Sequence, residues 1–263
     1  IEKSIIKKTP PTITHAHRYA ATSDAYERAA DMVQDGAANI DVGGESTRPG
    51  STGVDAQVQI ERVVPVIERI ARNLDVAISI DTREPGVMAA AAIAGACIVN
   101  DVQALRAPGA RRCAADSGVG VCLMHMQGEP RSMQDDPVYG DVVAEVCAFL
   151  EREREACVAE GIAREAIALD PGIGFGKGFQ HNMMLLNALP RIAALGSPVL
   201  VGVSRKSFIG RVLGRPLEQR LHGGLGLAAL AVSCGVRIIR THDVGPTVDA
   251  VRMVSAVLDG APG

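Results

Sequence analysis

The sequence contains no tryptophan and few other aromatic residues, with four phenylalanines and three tyrosines among 263 residues. Proteins that bind single-stranded nucleic acid stack the bases on aromatic side chains, so this shortage disfavours that class. A basic surface is also lacking, because the formal net charge is −3 and no run of Lys and Arg exceeds two residues. We therefore expect no nucleic-acid partner.

Long apolar runs and paired cysteines are absent as well. No apolar stretch reaches the roughly 18 residues that span a bilayer, and the N-terminal segment has no signal-peptide core. The six cysteines include no C-x-x-C pair and lie inside apolar segments. Such cysteines are typical of buried, reduced thiols. We expect a cytoplasmic protein without disulfides and without a membrane partner.

The composition that is present is that of a globular protein, with 47% hydrophobic and 22% charged residues. Short β-branched runs alternate with amphipathic helical segments, and each run is apolar through its middle, as in parallel strands buried on both faces. Seven such runs cover 39–44, 76–82, 97–102, 119–126, 166–172, 198–204 and 236–243. The first segment is expected to supply an eighth. Eight βα units predict an α/β TIM barrel, a single domain over 1–263, with a doubly wound sheet as the alternative.

In a TIM barrel the active site lies at the carboxyl ends of the strands, so the polar residues at those ends are candidate functional residues. Strands three to eight end in, or run into, Asp81, Asn100, Asp101, His125, Asp170, Lys177, Ser204, Arg205, Lys206, Ser207, Arg240, His242 and Asp243. Structural roles are the alternative. Asp81 and Asp101 can cap helices, His125 can be a satisfied core histidine, and Lys177 can be a solvated loop residue.

Three of these residues suit a flat heterocycle with a guanidine-like edge, such as a pterin. Asp81, Asn100 and Asp170 can project inward and offer carboxylate and amide groups to the 2-amino and ring N–H groups of the heterocycle. Lys206 and Arg240 would then face its carbonyl and a leaving anion. The glycine-rich run 172–178 resembles a phosphate-binding loop, but Gly178 stands where that motif requires Ser or Thr.

Seven motifs along the chain resemble those of the dihydropteroate synthases, folate-pathway enzymes that sulfonamides inhibit. They are DVGGESTRPG (41–50), SIDT (79–82), VNDV (99–102), LMHMQG (123–128), LDPGIGFGK (169–177), VGVSRKSFIG (201–210) and IIRTHDV (238–244). The resemblance implies a TIM-barrel transferase that joins 6-hydroxymethyl-7,8-dihydropterin pyrophosphate to p-aminobenzoate. It also implies release of pyrophosphate, a requirement for Mg²⁺ and a homodimer.

The resemblance further implies a role for each matching residue. The pterin pocket would contain Asp81, Asn100, Met124, Asp170, Phe175, Gly202, Lys206 and Arg240. The pyrophosphate would contact Arg240, His242 and Arg48, whereas p-aminobenzoate would contact Thr47, Arg48, Pro49 and Ser207. Lys206, Arg240 and Asp170 would be the catalytic residues.

The first segment departs from the family pattern, in which strand 1 leads into a loop that reads N-V-T-P-D-S-F-S-D-G-G-R-Y. Residues 7–19 align with that loop, with Lys7 at the position of a metal- and pyrophosphate-binding Asn and Pro11 at that of an Asp. Ile13 takes the place of a Phe that covers p-aminobenzoate. Protonated Lys cannot ligate Mg²⁺, so the sequence leaves the metal ligands undefined. A pterin-binding paralogue with little or no synthase activity is therefore an alternative, as is a protein that only sequesters pterin.

Two other enzyme classes fit the same barrel. A pterin-dependent methyltransferase would share the Asp–Asn–Asp pocket, but it has no need of the segment 204–207 or of Arg48. A metal-dependent hydrolase is suggested by His15 and His17, because H-x-H is a common ligand pair. That pair is predicted in the first loop rather than on strand 1, and His181 is predicted on a helix.

The segment 221–235 is apolar around most of its circumference and rich in small residues. Such a segment packs against a barrel, and it also permits close contact between the helices of two subunits. Together with the family resemblance, it predicts a homodimer.

Overall fold

The computed structural model describes residues 22–45, 53–128, 133 and 136–260, together with the backbone of 12–15. Several residues that the sequence analysis singled out lie outside this part of the chain: Lys7, Pro11, His17, Thr47, Arg48 and Pro49. None of the described helices is long and apolar enough to cross a bilayer.

Strands and helices alternate along the described chain, as the periodicity predicted. The strands are β1 Thr12–His15, β2 Asn39–Gly43, β3 Ala77–Asp81, β4 Ile98–Asp101, β5 Gly120–Met124, β6 Ile167–Asp170, β7 Leu200–Gly202 and β8 Ile238–Arg240. The helices are α1 Thr22–Gln34, α2 Ala56–Asn73, α3 Pro85–Ala94, α4 Ala110–Ser117, α5 Val142–Ala159, α6 Phe179–Asn187, α7 Leu189–Ala193, α8 Ser207–Leu213, α9 Leu221–Ser233 and α10 Val244–Leu258. The predicted helix that carries His181 is therefore α6.

The eight strands form one parallel sheet in the order β6-β5-β4-β3-β2-β1-β8-β7. An isolated parallel bridge between Leu169 and Val199 joins the two edge strands of this sheet. At the same seam the Leu169 amide donates to the carbonyl of Pro198 at 2.9 Å. The architecture is the predicted TIM barrel, with one short seam between β6 and β7.

The barrel wall is apolar on its outer side, where the helices pack. In α2, for example, Ile67 and Ile70 are fully buried at helical spacing, and Asp55 caps the helix by accepting from the amide of Gln57 at 2.8 Å. A separate small cluster joins the strands from β5 to β8 and contains Cys122, Ala168, Leu200 and Ile238. In β2 and β3, buried polar residues alternate with the apolar ones, namely Asn39, Asp41, Ser79 and Asp81. Asn39 donates to the Ser79 hydroxyl at 2.9 Å. Part of the barrel interior is therefore built for charged groups.

The first strand lies later in the chain than the family alignment predicted. β1 covers Thr12–His15, where Ile13 pairs with Asn39 of β2 and with Arg240 of β8. The prediction that residues 7–19 form one loop is therefore wrong for this stretch, and Ile13 and His15 belong to a strand. The local reason is a run of β-branched residues after two prolines, which cannot donate the hydrogen bonds of a sheet.

Candidate functional site

The carboxyl ends of β3, β4 and β6 bring three buried polar side chains to one end of the barrel, here called the mouth. Asp81 ends β3 opposite Asn100 of β4, and Asp170 ends β6 opposite Met124 of β5. Asp81, Asn100 and Asp170 are exposed by only 3%, 5% and 6%. The structure therefore places the three residues that the sequence predicted to contact a pterin at the same end of the barrel.

Arg240 of β8 crosses the mouth and contacts two carboxylates. Its Nη2 atom donates to Asp81 Oδ2 at 2.6 Å and to Asp41 Oδ2 at 2.5 Å. Asp41 also accepts from the Asn100 amide at 3.3 Å and from the Ser79 hydroxyl at 2.5 Å. One guanidinium thus compensates two buried negative charges, and Asp41 links it to the amide of the predicted pterin pocket.

The sequence analysis missed Asp41, although this residue stands within the motif at 41–50. The available signal was its place in the middle of a buried strand, since aspartate is almost never fully buried without a partner. Asp41 is 0% exposed. A charged residue at such a position indicates a second charge across the barrel interior, which here is Arg240.

Burial shifts the pKa values of all three carboxylates upward. It raises the pKa of Asp41 to about 6, against the opposing effect of Arg240, and the negative charge of Asp81 adds to the rise. The pKa of Asp81 and that of Asp170 are also raised by burial. At Asp170 the Gly172 amide opposes this shift by donating to Oδ1 at 2.7 Å. The site consequently favours a ligand that brings N–H donors to these carboxylates.

An apolar wall adjoins the carboxylates. Phe175 packs against a buried cluster of Val102, Met124, Met126 and Met133. The Lys206 ammonium lies 4.4 Å from the centroid of the Phe175 ring. Polar groups at an edge beside an apolar face can bind a flat heterocycle and fix its orientation.

The predicted anion-binding residues lie between β7 and β8. The Ser204 hydroxyl is 3.1 Å from His242 Nδ1 and accepts from the His242 amide at 3.2 Å. Arg205 has a positive φ of 57° and forms an ion pair with Asp243, with Nε 3.0 Å from Oδ2. His242 is thereby joined to the turn that carries Lys206.

Two further predicted residues border this turn. Gly202 lies beside Arg240, because a Cβ added at Gly202 would stand 3.7 Å from Arg240 Cβ. Ser207 is the first residue of α8 and is exposed. The described part of the predicted p-aminobenzoate site is therefore open at the surface.

Of the structural alternatives, only the one for His125 applies. Neither Asp81 nor Asp101 caps a helix, because the N-cap of α3 is Glu84 and that of α4 is Gly109. Asp101 accepts from the amides of Gln103 and Leu105, each at 2.8 Å, so it stabilises its own turn. His125 is buried with Nδ1 3.0 Å from the Lys177 ammonium, as expected of a satisfied core histidine. Lys177 is only 2% exposed, so its interpretation as a solvated loop residue is wrong.

A metal centre is not evident from the side chains that the structure describes. Within that part of the chain, no three His, Cys, Asp or Glu side chains are grouped so that they could hold an ion. Lys7, at the aligned position of the family's metal ligand, lies outside it.

Comparison with known proteins identifies this arrangement. The chain matches the family of pterin binding enzymes over residues 4–242. It is 45% identical to the dihydropteroate synthase of Escherichia coli over 254 residues, which cover 97% of this chain and 90% of that protein. The chain belongs to the dihydropteroate synthase family, and the predicted function, a transferase of this type, is confirmed by these matches. The methyltransferase and hydrolase alternatives are not supported.

Solved structures of the same family share the fold. The Yersinia pestis dihydropteroate synthase in a sulfonamide drug complex is 41% identical, covers 95% of each chain and superimposes with a TM-score of 0.93. The Burkholderia cenocepacia dihydropteroate synthase complexed with 7,8-dihydropteroate is 42% identical, with a TM-score of 0.89 and coverage of 96% of this chain and 93% of that one. The similarity of this chain to these solved structures confirms the predicted TIM barrel.

Proposed function

We propose that the barrel mouth condenses 6-hydroxymethyl-7,8-dihydropterin pyrophosphate with p-aminobenzoate and releases 7,8-dihydropteroate and pyrophosphate. The observation that carries this proposal is the group of Asp81, Asn100 and Asp170, buried together beside Arg240. The Burkholderia cenocepacia relative, which was solved with 7,8-dihydropteroate, supports the choice of product.

The pterin would lie with its amino and ring N–H groups toward the carboxylates. Asp170 and Asp81 accept these hydrogen bonds, Asn100 adds an amide donor, and Lys206 donates to the ring carbonyl. Phe175 and Met124 cover its apolar surface, and Gly202 approaches it through the backbone. Because each added N–H donor stabilises an ionised carboxylate, pterin binding offsets part of the cost of burying these charges.

The pyrophosphate would leave toward Arg240 and His242, with Arg48 as the further predicted contact. The bond between the exocyclic methylene carbon and the pyrophosphate oxygen breaks, and the pyrophosphate takes the electron pair. The positive charge on the methylene spreads over the pterin, while the cationic groups stabilise the departing anion. For this step Arg240 exchanges part of its contact with Asp41 and Asp81 for contact with the anion.

The amine of p-aminobenzoate then forms the new C–N bond with the methylene carbon and loses a proton to solvent or to the released pyrophosphate. This step needs the two reactants held in line more than it needs a strong base. Thr47, Arg48, Pro49 and Ser207 are the proposed contacts of p-aminobenzoate, and of these the structure describes Ser207, at the exposed start of α8. Sulfonamides would compete for the same contacts, as the sulfonamide complex of the Yersinia pestis relative suggests.

Mg²⁺ would bind together with the pyrophosphate group of the substrate. Magnesium is commonly bound through substrate phosphates, water and one or two carboxylates rather than by an all-protein cage. When bound, the ion would neutralise charge on the leaving group.

We further propose a cytoplasmic homodimer. All six cysteines are free thiols, which suits a reducing compartment. Large apolar side chains are exposed on neighbouring helices, among them Leu213 of α8, Leu230 of α9, and Met253 and Val257 of α10. A shared interface would cover these side chains, and light scattering that gives the mass of one chain would contradict the dimer.

One preparation can test the proposed reaction in two measurements. Calorimetry gives the affinity for the pterin pyrophosphate, and a coupled assay gives the release of pyrophosphate when p-aminobenzoate is added. We expect Asp170→Asn and Lys206→Ala to abolish pterin binding, whereas Ser207→Ala should raise the KM for p-aminobenzoate and leave pterin affinity unchanged. Near-normal pterin affinity in either of the first two variants would refute the site.

The two measurements also separate the remaining alternatives. Pterin binding with rapid pyrophosphate release supports the synthase. Pterin binding without release would instead identify a pterin-binding paralogue, and the absence of both would exclude the site altogether.

A further inference from the structure

Lys177 is a buried cation to which the proposed reaction assigns no role. Its ammonium lies 2.9 Å from the carbonyl of Phe175, 3.1 Å from the carbonyl of His125 and 3.0 Å from His125 Nδ1. These three contacts match the three N–H donors of an ammonium group. Lys177 therefore joins the loop after β5 to the loop after β6 through one side chain.

The ammonium form of Lys177 fits these contacts. Two of the three acceptors are carbonyl oxygens, and the third is an imidazole nitrogen whose pKa is lowered to about 3, first by burial and then by the charge of Lys177. Burial lowers the pKa of Lys177 itself to about 7, while the charge of Asp170 opposes that shift. A neutral His125 facing a charged Lys177 is the arrangement that satisfies every donor.

The two loops touch each other along their backbones, and glycine makes this possible. A Cβ added at Gly172 would stand 1.9 Å from the His125 carbonyl oxygen, and one at Gly176 would stand 2.4 Å from the Gln127 carbonyl oxygen. Both glycines have positive φ, 67° and 59°. The glycine-rich run 172–178 thus packs against the loop after β5, and the hydrogen bonds of Lys177 hold the two loops together.

Lys177 reaches the pterin pocket through Phe175. The carbonyl of Phe175 is held by Lys177, and its ring contacts Lys206. The ring of Phe175 also packs on Met124 and Met126, the two neighbours of His125, which Lys177 contacts as well. A displaced Lys177 would therefore move both sides of the apolar wall that the pterin is proposed to contact.

We infer that Lys177 is a positioning residue for the pterin pocket, because it holds the β5 and β6 loops at the spacing that sets Phe175 and Lys206. This inference rests on the proposed pterin site. Lys177 itself contacts neither substrate in this proposal. Because it acts through the pterin pocket, its replacement should weaken pterin binding and leave p-aminobenzoate binding unchanged.

The test compares the two substrates in Lys177→Met, which keeps the length of the side chain and removes its donors. We expect the KM for the pterin pyrophosphate to rise about ten- to a hundredfold, as for a small misplacement of binding groups, with the KM for p-aminobenzoate nearly unchanged. Glu153→Gln is the matched control, since Glu153 of α5 is 4% exposed and pairs with Arg111 of α4 and with Arg152 of its own helix. It should lower stability without changing either KM.

A double-mutant cycle with Phe175→Leu tests the route of this effect. Each single variant weakens pterin binding by some factor. If Lys177 acts through Phe175, the double variant should lose less affinity than the product of these two factors. If Lys177→Met does not fold, Lys177→Gln, which keeps two N–H donors, replaces it in every measurement.

Each result bears on one proposal. A wild-type protein that does not bind pterin overturns the proposed function. A wild-type protein that binds pterin, combined with a Lys177 variant whose two KM values are unchanged or rise equally, overturns only the inference about Lys177. A selective rise in the pterin KM supports it.

Discussion

At the scale of single residues, one guanidinium at the barrel mouth is shared by two buried carboxylates. Asp41 and Asp81 both depend on Nη2 of Arg240, whereas Asp170 is held by the amide of Gly172. Removing one member of a buried charged network leaves the others without compensation, which costs far more than the network contributes. Arg240 therefore has a structural role that is separable from its role toward pyrophosphate.

We expect Arg240→Met to lower the free energy of unfolding by about 3–5 kcal/mol, because two buried carboxylates lose their ion pair with this guanidinium. Urea denaturation measures the change. Adding Asp41→Asn should restore part of the stability, since one of the two carboxylates that lost the guanidinium is then neutral. Neither variant should release pyrophosphate, because the anion contact is missing in both. A single variant as stable as the wild type would show that the ion pairs are not needed for folding.

At the scale of elements, the loop between β6 and α6 shows why glycine occurs at alternate positions. Gly172, Gly174 and Gly176 all have positive φ. Gly174 lies against Lys206, because a Cβ added there would be 3.2 Å from its Cδ atom. The amide of Gly174 donates to Asn182 of α6 at 2.6 Å, which ties the loop to the helix that follows. The loop is therefore packed on three sides.

Gly172→Ala should destabilise the protein much more than Gly196→Ala. Both glycines have positive φ, 67° and 84°, so both variants carry the backbone strain of about 1–2 kcal/mol. Only at Gly172 would the new methyl meet a backbone oxygen, at 1.9 Å, whereas the space at Gly196 is open. We expect about 1–3 kcal/mol of further loss from this overpacking, measured by urea denaturation. Equal losses in the two variants would contradict the close packing of the loops.

At the scale of the whole molecule, buried titratable groups make the stability depend on pH in opposite directions. The pKa of His125 falls from 6.5 to about 3, so between these values the folded state binds fewer protons than the unfolded state. Stability is therefore lost as the pH falls through this window. Asp41 and Asp101, whose pKa values rise from 3.8 to about 6, oppose that loss because they take up protons on folding.

Replacing His125 by Gln isolates the histidine contribution. Gln keeps an oxygen that can accept from Lys177 but does not titrate, while both aspartates are retained. Relative to the variant, the wild-type protein should lose about 1.4 kcal/mol of stability for each pH unit between pH 6 and 4. Urea denaturation of both proteins at these two pH values measures the difference. Parallel curves for the two proteins would mean that His125 titrates normally in the folded state.

The sequence by itself determined the alternation of strands and helices and the set of candidate residues at the mouth. Apolar runs and helical stripes are local patterns, and in a barrel every strand ends at the same face, so the sequence alone predicts that Asp81, Asn100 and Asp170 share that face. The family motifs then supplied the chemistry. Only the first strand differs from the prediction. The family pattern predicts a loop over 7–19, whereas the β-branched residues inside that stretch form β1.

The tertiary structure alone decided which charges meet. Asp41 pairs with Arg240 across 199 residues of sequence, and Lys177 contacts His125 across 52. No local pattern records such a partner, because the burial of a charged side chain depends on groups that folding brings from elsewhere in the chain. For the same reason the sequence did not predict that the glycine-rich run 172–178 packs against the loop after β5.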